Sequence, residues 1–525
     1  MKHLVNSAGL SRRGVLGAGL GLAATSLLAA CGGGSGTSTA AAKGATGVAR
    51  KGGTLRIGRP PASSAETLDP ASSLSAYEYL GALYNRLVKS GADGSSQPDL
   101  AQSWESDKTA STWTFHLRQG VTFHDGKAFT SKDAAYTIQH MLDKKTASPQ
   151  AGVLSGFVDP AGLRTPDDHT LVVTLKQPHA EFPSLLTNYN CYVIPDGSAA
   201  TIGRTGIGTG PFKLQSFTAA GKGVVVANKS YYEGAPNLDQ IVFSSIADQQ
   251  ARLNALLADQ VDLLAQTALD YASSKTVLAS SKLTVVANKN ATVNVLPMLS
   301  TAAPFTDVRV RQALKLAYDP ASVLTTAAQG KGVVGHDNPV LPTDANYLNY
   351  SVTPDPGKAK SLLKAAGHEG LQIKLYTSSY QAGFTPLALA FADSVKQAGI
   401  TANVTNAPAD SYYTQVWMKR PLSVSYWYTG RPIDQLLGQF FLSGSDYNET
   451  AWKNPRFDGL IAAARKETDA AKRRALYQDA QKLGIDEGGL IVPFFSDRLT
   501  GMSKNVVNYA EHGFEFDYVH IGLKA

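Results

Sequence analysis

The segment QPDLAQSWESDKTASTWTFHLRQGVTFHDGKAFTSKD at residues 97–133 has the clearest structural pattern of the chain. Within it, Trp113, Phe115 and Leu117 alternate with polar residues, which is the period-two pattern of a strand with one buried face. Comparable apolar runs elsewhere predict further strands, at 53–57, 171–175, 224–226, 241–243, 371–376, 424–427 and 490–494.

Helix signals begin in the same segment. Thr130 and Asp133 have the three-residue spacing of a capping box and predict a helix that runs to about Met141. Caps followed by apolar stripes predict three more helices, which begin at Thr306, at Asp355-Pro356 and at Asn454-Pro455. Strands that alternate with helices predict an α/β body.

Length and composition set the scale of the fold. The chain has 525 residues, of which 43% are hydrophobic and 17% charged, so two or three globular domains are expected. The formal net charge is +7, and Lys2, Arg12 and Arg13 account for 3 of it, which leaves 7 − 3 = +4 for the rest of the chain. With no basic run and no recognisable nucleic-acid motif, the charge does not indicate DNA or RNA binding.

The amino terminus has the layout of an export signal. A basic pair at 12–13 precedes an apolar stretch at 14–30, so residues 1–30 are predicted to be a signal peptide. The stretch LAAC at 28–31 resembles a lipoprotein processing box, which would make Cys31 the lipid attachment site. Residues 31–51 are small and polar and are predicted to be a flexible, lipidated tether. SRR at 11–13 resembles the twin-arginine variant of the signal, so the export route stays open.

Catalytic signatures are missing from the sequence. It contains no HExxH, GxSxG or GxxxxGK[ST] motif, and its ten histidines show no ligand spacing. His124 is expected to be a locally hydrogen-bonded turn residue, and Cys191 a small buried apolar residue. The adjacent acids Asp486 and Glu487 are interpreted as a solvated helix end rather than an acid and base pair. We therefore expect no catalytic residue, no metal and no cofactor.

Six blocks, in order, resemble one family. They are KGGTLRIG at 51–58, the segment 97–133, GTGPFKL at 208–214, ADQVDLL at 258–264, PFTDVRVRQALKLAYDP at 304–320 and PDPGKAKSLLKAAG at 354–367. Together they resemble the large extracellular solute-binding proteins that serve ABC importers, the family-five type that takes peptides, opines or nickel.

The resemblance implies a periplasmic-binding-protein-like, two-lobed α/β fold of type II, cluster C, with an extra inserted domain. It places lobe I at 52–95, 206–296 and 491–525, the inserted domain at 96–205, and lobe II at 297–490. In such a protein two lobes on a hinge enclose a solute and present a new surface to a permease, so no catalytic group is needed.

The resemblance also locates the solute. Relatives that bind peptides have a segment like Trp-Thr-Gly-Asp, whose aspartate pairs with the ligand's ammonium group. Here the segment is Tyr428, Thr429, Gly430 and Arg431. Arg431 would repel an ammonium group and can grip a carboxylate with two parallel hydrogen bonds. The competing interpretation pairs Arg431 with Asp434, three residues on.

Five residues besides Arg431 are expected at the cleft. Members of the aromatic run at 426–428 must face alternate ways in a strand, and Tyr428 is the residue we expect in the cleft, with Trp427 included as a candidate contact. The resemblance also implies contacts from Tyr77, Glu78 and Asn294.

The sequence therefore predicts a monomeric, exported lipoprotein that faces the periplasm or the extracellular side. It would capture an oligopeptide or a carboxylate-bearing, opine-like conjugate and deliver it to the permease subunits of an ABC transporter. A receptor for ordinary free-amine peptides is the main alternative. A metal or haem scavenger and a secreted hydrolase are further alternatives, and the identity of the solute and of the permease stays open.

Overall fold

The computed structural model describes residues 42–60, 66–92, 94–265, 269–409, 411–513 and 515–525. The predicted signal peptide and the predicted lipid site at Cys31 lie outside the described residues, as does the tether up to residue 41. In the described ranges, no helix has both the length and the apolar character needed to span a bilayer.

Twenty-two strands are present in the described residues. In chain order they are β1 Ala42–Lys43, β2 Thr54–Arg59, β3 Val88–Ser90, β4 Ser96–Pro98, β5 Ala101–Ser106, β6 Thr112–Leu117, β7 Val158–Asp167, β8 Thr170–Leu175, β9 Phe212–Phe217, β10 Lys222–Ala227, β11 Gln240–Ser245, β12 Leu263–Leu264, β13 Leu283–Pro297, β14 Gly332–Val334, β15 Gln372–Ser378, β16 Thr401–Ala407, β17 Ser425–Tyr428, β18 Leu490–Ser503, β19 Val506–Val507, β20 Ala510–His512, β21 Glu515–Phe516 and β22 Gly522–Leu523.

Fifteen α-helices lie between these strands in the described part of the chain. They are α1 Tyr77–Leu83, α2 Ser131–Leu142, α3 Ala151–Leu154, α4 Phe182–Leu185, α5 Ile202–Thr205, α6 Gln249–Leu257, α7 Tyr271–Leu278, α8 Val308–Leu316, α9 Pro320–Ala328, α10 Pro356–Ala365, α11 Phe384–Ser394, α12 Tyr412–Gln415, α13 Ile433–Phe441, α14 Pro455–Lys466 and α15 Ala470–Glu487. Short 3-10 turns add Lys144–Thr146, Tyr189–Cys191 and Val395–Ala398.

A nine-stranded sheet forms the framework, in the order β17-β13-β18-β12-β2-β11-β10-β9, with β14 also paired to β18. Its two long strands, β13 and β18, are antiparallel partners from Leu283 opposite Ser503 to Pro297 opposite Leu490. At one end of β18, Ile491 and Val492 belong to different apolar cores on opposite faces of the sheet, because neighbouring side chains of a strand point to opposite faces.

At the other end, these long strands enter a different core. Val286 of β13 and Met502 of β18 pack there with the aromatic residues of α1 and β11. The register of β13 and β18 shifts between Asn288 and Thr292, and Asn290 has a φ of 52°. Asp497 of β18 holds this irregular segment, because it accepts the Asn290 N–H at 3.1 Å. Two long strands with an irregular midpoint thus run from one apolar core into others.

A separate four-stranded antiparallel sheet, β5-β6-β8-β7, builds a second core with α2 and α4. Trp113, Phe115 and Leu117 of β6 are buried in it, as the alternation predicts. The predicted capping box is also present, since the Asp133 carboxylate accepts the Thr130 N–H at 2.8 Å at the start of α2.

Two helical cores flank the large sheet at the end where Ile491 and Val492 lie. One gathers residues of α8, α9 and α11, and the other gathers residues of α13, α14 and α15. The predicted starts at Asp355 and Asn454 are confirmed, as both side chains cap the following helix. The start predicted at Thr306 is wrong by one residue, because Asp307 accepts the Arg309 N–H and caps α8.

Residues 42–51, which were predicted to belong to a flexible tether, lie along the carboxy-terminal segment. Ala42 pairs with Glu511, the Gly44 N–H donates to the Tyr509 carbonyl at 2.8 Å, and the Arg50 N–H donates to the Leu523 carbonyl at 2.9 Å. Small side chains permit this close approach, and the sequence pattern of a tether does not reveal it because the contacts are made by the backbone.

Candidate functional site

The strand β17 presents two different faces. Ser425 and Trp427 are buried, whereas Tyr426 and Tyr428 are half-buried on the opposite face. Trp427 packs against Phe440 of α13, with ring centroids 5.0 Å apart. The alternation predicted for this aromatic run is therefore present, with Trp427 on the core face.

The chain turns sharply after β17. The Thr429 N–H donates to the Ala291 carbonyl at 3.0 Å, and its hydroxyl donates to the Asn290 carbonyl at 3.0 Å. Gly430 follows with a φ of 84°, a conformation that favours glycine. These constraints hold the next residue, Arg431, at a fixed place beside the irregular segment of β13.

A partly open cavity lies at this turn, and the space in it that the centre of a water molecule can occupy is about 90 Å³. Residues from six parts of the chain line it: Arg86, Ser90–Ala92, Gly94, Thr187–Tyr189, Asn288, Lys289, Val293, Pro339, Leu341, Thr343, Asp344, Thr429–Pro432, Gln435, Leu436, His512, Gly513 and Glu515. Three of the predicted contacts, Thr429, Gly430 and Arg431, are among them.

Arg431 is half-buried. Its Nη1 donates to Gln439 Oε1 at 2.9 Å, and its guanidinium carbon lies 5.1 Å from the centre of the Trp427 ring. Across the described ranges, no carboxylate oxygen lies within 4.0 Å of its guanidinium nitrogens. Burial lowers the pKa of Arg431, because removal from water disfavours the charged form.

The competing interpretation, an Arg431–Asp434 pair, is wrong. Asp434 is 1% exposed and accepts Arg465 Nε at 2.7 Å, while His179 Nε2 lies 3.4 Å from its other oxygen. Burial raises the pKa of Asp434, but Arg465 and His179 outweigh this effect and the net pKa is lowered. Asp434 is therefore already satisfied by two partners on the far side of α13.

The other cations at the cavity do have carboxylate partners. Arg86 pairs with Glu515, and Lys289 Nζ lies 2.6 Å from Asp497 Oδ2. Among the cavity's cations in the described residues, Arg431 thus differs in being bound only by neutral groups.

Two pairs of tyrosine rings lie next to the cavity turn. Tyr77 and Tyr189 meet edge to face, with centroids 4.7 Å apart, and Tyr426 and Tyr428 do so at 5.4 Å. Tyr189 lines the cavity, and the Tyr428 carbonyl accepts Arg431 Nε at 3.4 Å. Tyr77 and Tyr428 thus border the cavity without being part of its lining.

Two predicted contacts lie elsewhere. Glu78 is 5% exposed, and its Oε2 accepts Arg59 Nε at 3.1 Å within a buried network that also includes Glu66. Asn294 is also 5% exposed and donates to Ser496 Oγ at 2.9 Å across the β13–β18 pair. Neither residue lines the cavity, because each side chain is used in buried contacts within the fold.

The turn at 429–431 touches segments from the opposite wall. Ser90 Oγ donates to the Gly430 carbonyl at 3.5 Å, and a Cβ atom on Gly430 would lie 3.9 Å from the Gly513 Cα. His512 Nε2 lies 2.9 Å from the Ser90 carbonyl, which links these two wall segments to each other. Segments of the opposite wall therefore lie against the turn that precedes Arg431.

One edge of β17 has main-chain groups that no neighbouring strand of the described residues binds. β17 is the last strand on its side of the sheet and pairs only with β13 in the described residues. Since the opposed residues Thr429 and Ala291 form a hydrogen-bonded pair, alternation turns the N–H and C=O of Tyr426 away from β13. The outer edge of this strand thus offers main-chain donors and acceptors.

Several lining residues were missed by sequence reasoning. Tyr189 lies in a 3-10 turn, and His512 and Gly513 lie near the carboxy terminus. They reach the cavity only through long-range packing, which leaves no local pattern. Gln435 lies on α13 four residues after Arg431, but Arg431 precedes the helix, so this spacing gives no helical signal either.

Two predictions outside the cavity concern reactive groups. Cys191 is buried and its pKa is raised to about 12 by burial, which confirms its role as a small core residue. His124 is hydrogen-bonded, but to a distant segment: its Nδ1 accepts the Gly208 N–H at 3.2 Å, and its Nε2 lies 3.1 Å from the Gly210 carbonyl. The expected local bonding is thus wrong, because the GTGPF loop packs on this histidine.

Comparison with known proteins identifies the family. Residues 96–449 match the model described as bacterial extracellular solute-binding proteins, family 5 Middle. The chain is 27% identical over 488 residues to a dipeptide-binding protein of Pseudomonas aeruginosa, and the match covers 85% of this chain and 90% of that protein.

Solved structures share the fold. DppA from Helicobacter pylori in complex with the peptide STSA matches with a TM-score of 0.76 and 22% identity over 90% of this chain and 99% of that one. AgaA from A. tumefaciens R10 in complex with agropinic acid matches with a TM-score of 0.75 and 22% identity, also over 90% and 99%. The two-lobed, periplasmic-binding-protein-like fold predicted from the sequence is thereby confirmed. The family match covers more than half of the chain, and the chain therefore belongs to the bacterial extracellular solute-binding proteins of family 5.

Proposed function

We propose that this protein is the solute receptor of an ABC importer and that it captures a carboxylate-bearing solute, such as an opine-like conjugate or a modified oligopeptide. The observation that supports this most directly is Arg431, a half-buried cation in the cavity that no described carboxylate neutralises. Family membership supplies the wider role, since the family is one of solute-binding proteins.

The positive charge of Arg431 favours an anionic ligand. A buried guanidinium group without a counter-ion is costly, and a carboxylate that enters the cavity removes this cost and forms charge-assisted hydrogen bonds. A ligand ammonium group at the same place would face like-charge repulsion. A free-amine peptide whose amino terminus points at Arg431 is therefore disfavoured relative to an acid.

The outer edge of β17 supports a second property of the solute. An extended ligand with amide groups can add to a sheet edge through main-chain hydrogen bonds, as peptide ligands do in other proteins. Tyr426 provides such an edge position, and the tyrosine rings nearby provide apolar surface with polar tips. Peptides with a modified amino terminus and amide-linked conjugates both meet this description.

In the proposed mechanism, the two lobes enclose the solute and leave it chemically unchanged. We assign lobe I to 52–95, 206–296 and 491–525, the inserted domain to 96–205 and lobe II to 297–490, with the hinge at the irregular segment of β13 near Asn290. Separate apolar cores and the long β13–β18 pair support this division. Closure on the solute would then present both lobes to the permease.

The site contains nothing that calls for catalysis, so we propose that the protein is not an enzyme. We also propose export and lipid attachment at Cys31, on the strength of the sequence pattern at 12–31. The lipid would hold the receptor beside its permease, on the face of the membrane that is turned to the periplasm or the extracellular side.

The experiment is a binding screen on protein purified from its own host. Native mass spectrometry identifies any retained solute, and thermal shift then compares opine-type acids, amino-terminally acylated peptides and unmodified peptides. Acids at a hundredfold excess over the dissociation constant should stabilise the protein by about 2.7 kcal/mol. Stabilisation by unmodified peptides alone would replace the proposal with the free-amine receptor. A retained metal or haem, or turnover of the solute, would replace it with the corresponding alternative.

A further inference from the structure

Three consecutive residues after β8, away from the cavity, contact the helices α13, α14 and α15. His179 Nε2 lies 3.4 Å from Asp434 Oδ2, and the Ala180 N–H donates to the Arg465 carbonyl at 2.7 Å. Tyr477 donates its hydroxyl to Glu181 Oε2 at 2.9 Å. We call this contact the helix latch: His179, Ala180 and Glu181 on one side, and Asp434, Arg465, Arg473 and Tyr477 on the other.

The helix latch is buried at its centre and apolar on one flank. His179 is 0% exposed, and its ring meets the Phe157 ring at 4.7 Å. The Arg465 guanidinium carbon lies 5.1 Å from the centre of the same Phe157 ring. Glu181 adds an ion pair at the edge, with Arg473 Nε 3.4 Å from its Oε1.

The hydrogen bonds define the state of the histidine. The Glu181 N–H donates to His179 Nδ1 at 3.2 Å, so Nδ1 acts as an acceptor and carries no proton. The proton on Nε2 then points to Asp434. The contact thus works with a neutral imidazole and needs no charge on it.

Asp434 would not be left unpaired if the two sides parted. Its carboxylate is held by Arg465 through bonds of 2.7 and 3.2 Å, and the two residues lie on neighbouring helices, α13 and α14. Separation removes His179, Ala180 and Glu181 and leaves this ion pair in place. An interface whose buried charge is neutralised within one side can open and close without stranding that charge.

The helix latch is connected to the solute site by a short stretch of chain. Asp434 lies in the first turn of α13, and only Pro432 and Ile433 separate it from Arg431. Proline restricts the backbone at that junction, so a shift of the α13 amino terminus moves the cavity turn with it.

We infer that the helix latch holds the inserted domain against lobe II in the closed protein, independently of the solute. This contact would stabilise the closed arrangement even without a bound solute. It would therefore raise the affinity of the protein for its solute and slow the release of the solute. This inference rests on the two-lobed capture of the proposed function, but it assigns a role to residues outside the cavity.

The test uses the full-length, ligand-free protein and the double variant Glu181→Gln/Tyr477→Phe, which removes the ion pair and the phenol donor with little change in volume. Small-angle X-ray scattering should give a larger radius of gyration for the variant than for the parent. Hydrogen exchange of a peptide spanning 176–186 should accelerate by about tenfold, the expected effect of losing one charge-assisted hydrogen bond. Arg473→Gln serves as a second, milder variant if the double variant fails to fold.

The matched control is Asp393→Asn, which breaks the exposed Lys396–Asp393 pair of 2.9 Å within one lobe. It should leave the scattering curve and the exchange of 176–186 unchanged. An unchanged radius of gyration in the double variant, with or without a lower melting temperature, overturns the latch, because the contact is then a static interface. Since no solute is used, this result is independent of whether the thermal-shift screen supports the proposed function.

Discussion

The guanidinium carbon of Arg431 lies 5.1 Å from the centre of the Trp427 ring, so the cation that we assign to the solute rests on an indole from the buried face of β17. A cation above an aromatic face is stabilised without being neutralised. Arg431 therefore keeps a fixed place and its charge in the cavity. The arrangement explains how a fold can hold a buried cation ready for an anionic solute.

Arg431→Gln should abolish most of the affinity for the acid that stabilises the protein best in the thermal-shift screen. Loss of hydrogen bonds to a charged group predicts weaker binding by about 10- to 100-fold, measured by isothermal titration calorimetry. Glutamine keeps a donor for Gln439 and a planar head, so the fold should be preserved.

Arg456→Gln is the matched control for this change, because Arg456 is exposed at the start of α14 and lines no part of the cavity. It should bind the acid as the parent protein does. Equal affinity in the parent and in Arg431→Gln would remove Arg431 from the binding site.

Gly430→Ala should weaken solute binding and lower stability modestly. The φ of 84° is strained for alanine, at a cost of about 1–2 kcal/mol, while the added Cβ would meet only ordinary contacts near Gly513. The turn can relieve the strain by shifting, which would displace Arg431. Gly444→Ala, where nothing lies within 4 Å of the added Cβ and φ is not positive, is the control. Unaltered affinity and melting temperature in Gly430→Ala would contradict the role of this turn.

The free energy of unfolding should depend on pH through the buried residue Asp337. Burial raises its pKa to about 6 from 3.8, although Lys315 opposes the rise, and the carboxylate accepts the Tyr318 hydroxyl at 2.8 Å. Because the folded pKa exceeds the unfolded one, the stabilisation is fully present below pH 3.8 and is lost as pH rises through about 6.

Asp337→Asn keeps the side-chain acceptor and removes the titration. Urea unfolding at pH 4 and pH 7 should show that the free energy of unfolding of the parent falls, relative to the variant, by of the order of 3 kcal/mol between these values. The same difference between the two proteins at both pH values would contradict the assignment.

Cys191 should resist alkylation in the native protein. It is 4% exposed and its pKa is raised to about 12 by burial, so little thiolate forms at pH 8. Mass spectrometry after iodoacetamide treatment should show no modification of Cys191 in buffer and full modification in denaturant. Rapid labelling in buffer would show that this part of the second core is open.

Local patterns predicted much of the fold. The β6 alternation, the α2 capping box and the Asn454 cap were all present, because each depends on residues within one turn or one strand. Strand β13 was not predicted at all, since its residues pass from one apolar core to another and interrupt any single period. Strands of this kind take their conformation from their partner strand.

The site was only partly predictable. Arg431 and its turn are contiguous and stand out in the sequence, whereas Tyr189, His512 and Gly513 reach the cavity from distant segments. Glu78 does not line the cavity, because a carboxylate near an expected cleft can equally serve an internal pair, here with Arg59. Sequence alone does not distinguish these two uses of a charged side chain.

The central claim is that the two lobes close on an unchanged solute, and small-angle X-ray scattering tests it most directly. One sample holds the solute identified by native mass spectrometry, and the other has been freed of it by unfolding and refolding. The account predicts a smaller radius of gyration with solute and full recovery of the solute intact. Superimposable curves with and without bound solute would contradict it.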